Sequence, residues 1–177
     1  MFENQNQLFD LNHVIWKQLP KLLNLQSPTV ILKYAQRNDN VRLSLRNTMA
    51  VADIRHLGRK ERSLVIDAHR GIISTSQLTS QLIRAQENVL IYEHRRIKVM
   101  VAEQLGYSHT KLPIIQNQFT LCPLGAVTRE STNWFGMYHL SSYTAMGKMT
   151  RLEFDHQVSV IVPKSYRTLR TQMMRTQ

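Results

Sequence analysis

The sequence predicts an α+β fold with mixed or antiparallel sheets, and three observations support this class. Short β-rich runs bounded by turn residues recur from residue 41 to residue 162. Two longer segments, 8–25 and 93–105, instead repeat apolar residues at the helical period. A basic amphipathic segment, 164–175, closes the chain, which has 177 residues and is 42% hydrophobic. A chain of this length and hydrophobic content can bury a hydrophobic core of ordinary size.

The first 54 residues are predicted to form one helix and two or three strands. An apolar stripe predicts an amphipathic helix over 8–25, which Pro20 should kink or divide. The run Thr29–Leu32 is β-rich, and residues 41–46 alternate as a half-buried strand does. This pattern places Arg42 and Arg46 on the solvated face, and residues 48–54 either continue the strand or form the next one.

The middle of the chain predicts a basic loop followed by two strands and a helix. The loop is Arg55–Arg62, centred on Gly58, and an ordinary solvated hairpin tip is the alternative to a binding role. Residues 63–67 are β-like, and Ile72 and Ile73 form a neighbouring run beyond Gly71. A short capped helix is predicted over 76–86.

The segment 93–105 gives the clearest helix in the second half of the chain. Its apolar positions can face a core, and Gly106 follows where helices often end. Cations crowd its first two turns, where they oppose the helix dipole. The crowding suggests that these cations serve a ligand; they are His94, Arg95, Arg96 and Lys98.

The last third predicts strands and a C-terminal basic helix. The strands are 112–115, 119–122 and 134–143, and then 149–154 and 158–162 as a hairpin around Asp155 and His156. Pro163 can occupy the first turn of the closing helix. One face of that helix carries Tyr166, Leu169 and Met173, and the rest carries Lys164, Arg167, Arg170 and Arg175.

Charge points to the kind of partner. The chain has 23 Lys and Arg against 12 Asp and Glu, a net charge of +11 and a pI near 10.2. Such an excess is typical of proteins that bind polyphosphates. The acidic, polar N-terminus does not resemble a signal peptide, and no stretch approaches the roughly 20 apolar residues of a membrane span. A cytoplasmic protein with no membrane partner is therefore expected.

The residue pattern does not indicate an enzyme, a metal or a cofactor. Cys122 and His139 are a conceivable nucleophile and base, but Cys122 lies in an apolar strand, where a thiol is usually a small core residue. A single cysteine also excludes an internal disulfide. The histidines lack the spacing of metal sites; those considered are His94, His109, His139 and His156.

Nucleic-acid binding is the favoured class because three separate segments, 55–62, 94–98 and 164–175, are basic without matching acids. A polar loop around Arg129 could enter a narrow minor groove, with an ordinary strand connection as the alternative. A basic RNA-binding module is the second hypothesis, although the clustered aromatic motif of common RNA-binding sheets is lacking.

Several segments between residues 46 and 177 carry a family resemblance through their order and spacing. The main ones are Ser108 and His109, Lys111, Pro113, the strand Phe119–Pro123, and Trp134 with the aromatic strand after it. Upstream they include 47–54, 62–67 and 95–98, and downstream 151–154, 160–163 and 165–168. In this order the segments resemble the competence transcription factor ComK family of low-GC Gram-positive bacteria.

The resemblance implies a transcriptional activator of DNA-uptake genes. Such a protein binds paired AT-rich boxes through the minor groove as a homodimer or higher oligomer, at the nucleoid. The resemblance also implies that RNA polymerase and a proteolytic adaptor are further partners. The predicted DNA contacts are Arg95, Arg96, Lys98, Lys111, Arg129, Arg167 and Arg170.

Three departures from the family pattern are visible in the sequence. Residues 1–45 match no family segment, which predicts an N-terminal helical and strand extension before a ComK-like DNA-binding domain at 46–177. Asn133 stands where the family tends to carry a cysteine before its tryptophan. The sequence ends at Gln177, before the extension by which some relatives engage the adaptor, and this departure puts control by that route in doubt.

Overall fold

The computed structural model describes residues 15–89, 100, 103–106, 112–116, 118–125 and 130–174. Strands of this part form two sheets, and helices pack beside them, which confirms the predicted α+β class with mixed sheets. The strands are β1 Leu22–Asn24, β2 Gln36–Arg37, β3 Thr48–Asp53, β4 Ser63–Asp67, β5 Gly71–Thr75, β6 Ile114–Gln116, β7 Phe119–Pro123, β8 Trp134–Gly136, β9 Leu140–Met146, β10 Met149–Phe154 and β11 Val158–Val162. The helices are α1 Pro28–Leu32, α2 Thr79–Val89 and α3 Tyr166–Met174.

The smaller sheet has four strands in the order β1-β11-β10-β9. β1 runs parallel to β11, and the other neighbours are antiparallel. Alternate residues of β10 are buried, as the period of two in a strand requires, whereas β11 is buried along its whole length. Leu152 and Val160 face the core, whereas Arg151 and Glu153 lie on the opposite face of the sheet. The strand β10 therefore has one apolar and one polar side.

The larger sheet has seven strands in the order β2-β5-β4-β3-β8-β7-β6. Its central strands are buried on both faces. Leu64 and Ile66 of β4 contribute to a first core shared with the small sheet, and Val65 between them contributes to a second core. The second core is closed by Leu82 of α2 and by the segment 41–45. The large sheet is thus the middle layer of the molecule.

Two predictions for the N-terminal segment are wrong. Thr29–Leu32 is part of the helix α1 rather than a strand, because Pro28 occupies the first helical turn, where its fixed φ favours a helix. Residues 41–46 are irregular and then enter a turn, although their alternation is real in burial: Val41, Leu43 and Leu45 are buried, and Arg42 and Arg46 are exposed.

Two predictions for the C-terminal third also need correction. Residues 134–143 are not one strand, since β8 lies in the large sheet and β9 in the small one. Pro163 does not lie in the closing helix, because α3 begins at Tyr166. Residues 163 and 164 instead form a bend, in which the Thr150 hydroxyl donates to the carbonyl of Lys164 at 2.8 Å.

Other predicted elements are confirmed. The strands at 63–67 and 119–122 are present, and β10 and β11 pair as an antiparallel hairpin. The helix predicted over 8–25 is wrong in its last part, because Leu22–Asn24 form β1; residues 15–17 are helical, and the part before residue 15 lies outside the described residues. Most of the helix predicted over 93–105 also lies outside them. The division at residue 45 stays a prediction; β1 and β2, which precede it, pair with β11 and β5.

Candidate nucleic-acid interface

Four exposed cations lie where the β9–β10 turn meets the start of α3. Lys148 is in the turn, Lys164 precedes the helix, and Arg167 and Arg170 lie on the helix itself. The bond from Thr150 to the Lys164 carbonyl holds the two segments together. We call these four residues the C-terminal basic surface.

Acidic residues are sparse in the sequence that carries this surface. The sequence has no Asp or Glu between Glu130 and Glu153, and none after Asp155. Within the described part of the chain, no ion pair involves any of the four cations, whereas Arg37 and Arg70 pair with Asp39 and Asp67. The charge of the C-terminal basic surface is therefore available to an outside anion.

The helix α3 presents its arginines from a packed base. Leu169 is fully buried in the first core, and the rings of Tyr143 and Tyr166 stack with centroids 5.1 Å apart. Burial raises the pKa of the Tyr143 hydroxyl. At the N-terminal end, the Ser165 hydroxyl accepts a hydrogen bond from the Thr168 backbone N–H at 3.4 Å, as a capping residue does. This packing fixes the direction in which the exposed face points.

The predicted basic loop Arg55–Arg62 joins β3 to β4 as a short 3-10 turn followed by exposed residues. Gly58 adopts a left-handed conformation with φ of 65°. Arg55 is bound by Asp53 at 2.9 Å and by Glu130 at 3.0 Å, so its charge is largely neutralised. Arg59 and Lys60 are exposed and have no ion pair among the residues described. The loop therefore offers fewer open cations than its sequence suggests.

A cleft that the sequence did not indicate lies between the segment 41–46, the end of α2 and the β6–β7 hairpin. Its volume is about 630 Å³. We call it the arginine cleft, because its described lining includes two exposed arginines and no carboxylate. The side chains used below are Arg42, Arg46, Gln86, Gln116 and Phe119.

Aromatic rings adjoin the arginine cleft. Phe119 meets Tyr138 edge to face, with ring centroids 4.8 Å apart and an angle of 67° between the planes. The guanidinium of Arg46 lies over the Tyr138 ring, 6.0 Å from its centroid. That distance is at the outer limit of a cation–π contact. Arg46 thus connects the charge of the cleft to its aromatic side.

The electrostatic environment beside the cleft is positive. Arg70 donates to the Arg42 carbonyl at 3.0 Å and to the buried carboxylate of Asp67 at 2.6 Å. The pKa of His69 is lowered, mainly by burial and further by the positive charges of Arg46 and Arg70, while Asp67 opposes the shift. Protonation of His69 is therefore disfavoured, and the Asp67 carboxylate is bound by Arg70.

The structure describes only two of the predicted DNA contacts. Arg167 and Arg170 lie one turn apart on α3, and both are exposed. The remaining five lie outside the described residues; they are Arg95, Arg96, Lys98, Lys111 and Arg129. The sequence had placed Arg42 and Arg46 on one solvated face, but that alternation alone does not indicate a cleft. The other wall of the arginine cleft is formed by segments distant in sequence, so no local sequence pattern predicts it.

Cys122 is fully buried in β7, within the first core, as expected of a structural thiol. His139 instead pairs with Asp155, with Nδ1 3.0 Å from Oδ2. Among the described residues, no cluster of three or more His, Cys, Asp or Glu side chains is placed to hold a metal ion. No helix in that part is long and apolar enough to cross a bilayer.

Comparison with protein-family models, curated proteins and solved structures finds no match to this chain.

Proposed function

We propose that the protein is a DNA-binding transcriptional activator of the ComK type, acting at the nucleoid and preferring AT-rich duplex boxes. The observation that carries the proposal is the C-terminal basic surface: four exposed cations that have no ion pair in the described part of the chain, with no Asp or Glu after Asp155 in the sequence. Phosphate contacts from such residues release counterions and supply most of the affinity of a DNA-binding protein.

The helix α3 suits a backbone contact better than base reading. Arg167 and Arg170 are spaced by one helical turn, so they can reach successive phosphates along one strand. Sequence preference must then come from other residues or from DNA shape. In this proposal Arg129 enters the minor groove, Lys111 contacts groove or phosphate, and Arg95, Arg96 and Lys98 contact phosphates.

The test compares duplex binding by charge-reversed variants. We expect Arg167→Glu/Arg170→Glu to abolish binding to a labelled AT-rich duplex, because two attractive phosphate contacts become repulsive. The matched control is Lys33→Glu/Arg84→Glu, which makes the same charge change at exposed positions outside the C-terminal basic surface. If both variants lose affinity equally, only net charge matters and the proposed surface is wrong.

Specificity is tested in the same titration. An AT-rich duplex, a GC-rich duplex and an RNA of equal length are compared at one salt concentration, since affinities at different salt cannot be compared. Preference for the AT-rich duplex supports the activator. Preference for the RNA would favour the second hypothesis, a basic RNA-binding regulatory module.

Oligomeric state and the further partners follow from the resemblance alone. A homodimer or higher oligomer on paired boxes is proposed, with RNA polymerase and a proteolytic adaptor as additional partners. The mass of the complex on a promoter fragment with two boxes, compared with a fragment with one, measures the stoichiometry.

A further inference from the structure

We propose that the arginine cleft binds one nucleotide unit, a base together with its phosphate, presented by a single strand or as a free nucleotide. This inference goes beyond duplex binding and does not rest on it. The cleft shares no residue with the C-terminal basic surface, so the two sites can be tested separately.

The phosphate would be held by Arg42 and Arg46. Both are exposed, both line the cleft, and its described lining contains no carboxylate that would neutralise them. Arginine binds phosphate oxygens through two parallel N–H donors, which makes such contacts shorter and stronger than neutral hydrogen bonds. The nearby carboxylate of Asp67 does not compete, because it is fully buried and accepts from Arg70.

The base would be held by the aromatic side of the cleft. Phe119 is half-buried, so its ring is fixed by the second core while part of it remains accessible. Tyr138 lies beside the lining rather than in it, meets Phe119 edge to face, and is 42% exposed. Exposed tyrosine rings and guanidinium planes are the surfaces on which unpaired bases stack. Arg46 lies over Tyr138 and can therefore contact both the base and the phosphate.

Two carboxamides complete the chemistry. Gln86 at the end of α2 and Gln116 at the end of β6 both line the cleft. Each amide offers donors and an acceptor, which match the polar edge of any base. The volume of about 630 Å³ lies within the usual range of small-ligand sites, roughly 300–1,000 Å³, and exceeds what inorganic phosphate alone would need.

The first experiment measures whether the base matters. Fluorescence anisotropy compares a labelled oligothymidylate with an abasic strand of the same number of phosphates. We expect the oligothymidylate to bind roughly tenfold more tightly, as stacking of one base contributes. Equal affinities for the two strands would show a purely electrostatic surface and overturn the proposal.

The second experiment assigns the binding to the cleft. Tyr138→Leu should weaken oligothymidylate binding roughly tenfold and leave the abasic strand unaffected, because the ring contributes stacking and no charge. Arg46→Ala should weaken both strands. The matched control Arg84→Ala removes one exposed charge outside the cleft lining and should affect neither strand by more than about twofold. Unchanged affinity in Tyr138→Leu, with an intact circular dichroism spectrum, would refute the site.

The source of the nucleotide is resolved by competition with thymidine monophosphate. Displacement of the oligothymidylate at equal nucleotide concentration supports a free nucleotide as the occupant, and weak displacement supports a strand. If neither the mononucleotide nor the single strand binds while the AT-rich duplex does, the cleft proposal fails and the proposed function stands.

Discussion

Trp16 donates from its indole Nε1 to the backbone carbonyl of Ala68, at 2.9 Å and fully buried. Ala68 follows β4, so this bond attaches the helical residues before β1 to the large sheet across 52 positions of sequence. A buried carbonyl without a partner would cost the free energy of its desolvation.

We expect the two roles of Trp16 to separate in two variants. Trp16→Phe keeps much of the volume and loses the hydrogen bond, which should lower the free energy of unfolding by about 1–3 kcal/mol. Trp16→Ala also leaves a cavity and should cost about 3–5 kcal/mol. Urea unfolding measures both, with the exposed neighbour variant Lys17→Ala as the control. Equal losses in Phe and Ala variants would contradict this division.

Gly136 in β8 should not tolerate any side chain. A Cβ there would lie 1.9 Å from the carbonyl oxygen of Thr48 on the neighbouring strand β3, which is backbone and cannot rotate away. We expect Gly136→Ala to cost at least about 3 kcal/mol, because an overpacked sheet must shift its backbone.

The control for this variant is Gly147→Ala. Gly147 has φ of 62° with nothing within 4 Å of an added Cβ, so only the left-handed conformation is penalised, by about 1–2 kcal/mol. Thermal unfolding of the Gly136→Ala and Gly147→Ala variants compares the loss of stability caused by a steric clash with the loss caused by an unfavourable backbone conformation. A smaller loss at Gly136 than at Gly147 would be incompatible with the β3–β8 packing.

Stability should fall in mildly acidic solution because of His69. Its pKa in the folded chain is lowered from the ordinary 6.5, chiefly by burial. As the pH falls through about 6.5, the unfolded chain binds a proton before the folded chain does, so the free energy of unfolding decreases. The decrease stops once the pH is below the folded pKa. Urea midpoints measured across this range should decline less in His69→Asn; parallel curves would show that other groups cause the decline.

The salt dependence of duplex binding should report the two contacts of α3. Each phosphate contact contributes about 0.9 to the slope of log affinity against log salt concentration. The neutral double variant Arg167→Ala/Arg170→Ala should therefore reduce the slope by about 2 relative to the unaltered chain. Lys33→Ala/Arg84→Ala should keep the original slope. A reduced affinity with an unchanged slope would mean that the arginines act through folding rather than through phosphates.

Local patterns in the sequence predicted the elements whose causes are local. The apolar run Ser63–Asp67 and the hairpin of β10 and β11 formed as expected, because period and turn residues determine such elements. The prediction of a strand at Thr29–Leu32 was wrong. Its β-branched residues favour a strand, but Pro28 at the first helical position favours the helix that is observed. The pattern of side chains in a run therefore does not by itself determine the backbone conformation, because a neighbouring residue can change it.

Relationships between distant segments were not predictable in this way. The sequence of residues 134–143 predicts one aromatic strand, yet β8 and β9 belong to different sheets. No residue pattern within the segment indicates this change of sheet. Likewise Phe119 and Arg46 come together only through the large sheet, so the arginine cleft had no continuous motif. Arg167 and Arg170 could be placed on one exposed side of a helix because spacing alone defines a helical face, and their role in DNA binding stays a prediction.

The parallel pairing of β1 with β11 has a consequence for the order in which the molecule can be completed during synthesis. Leu22 pairs with Ser159, so β1 leaves the ribosome long before its partner strand exists. At about 5–20 residues per second, the interval is on the order of ten seconds. During that time the apolar Leu23, fully buried in the finished sheet, lacks its β11 neighbour. The small sheet is thus closed at its β1 edge only when nearly the whole chain has been made, and a ribosome stalled before β11 would leave that strand exposed.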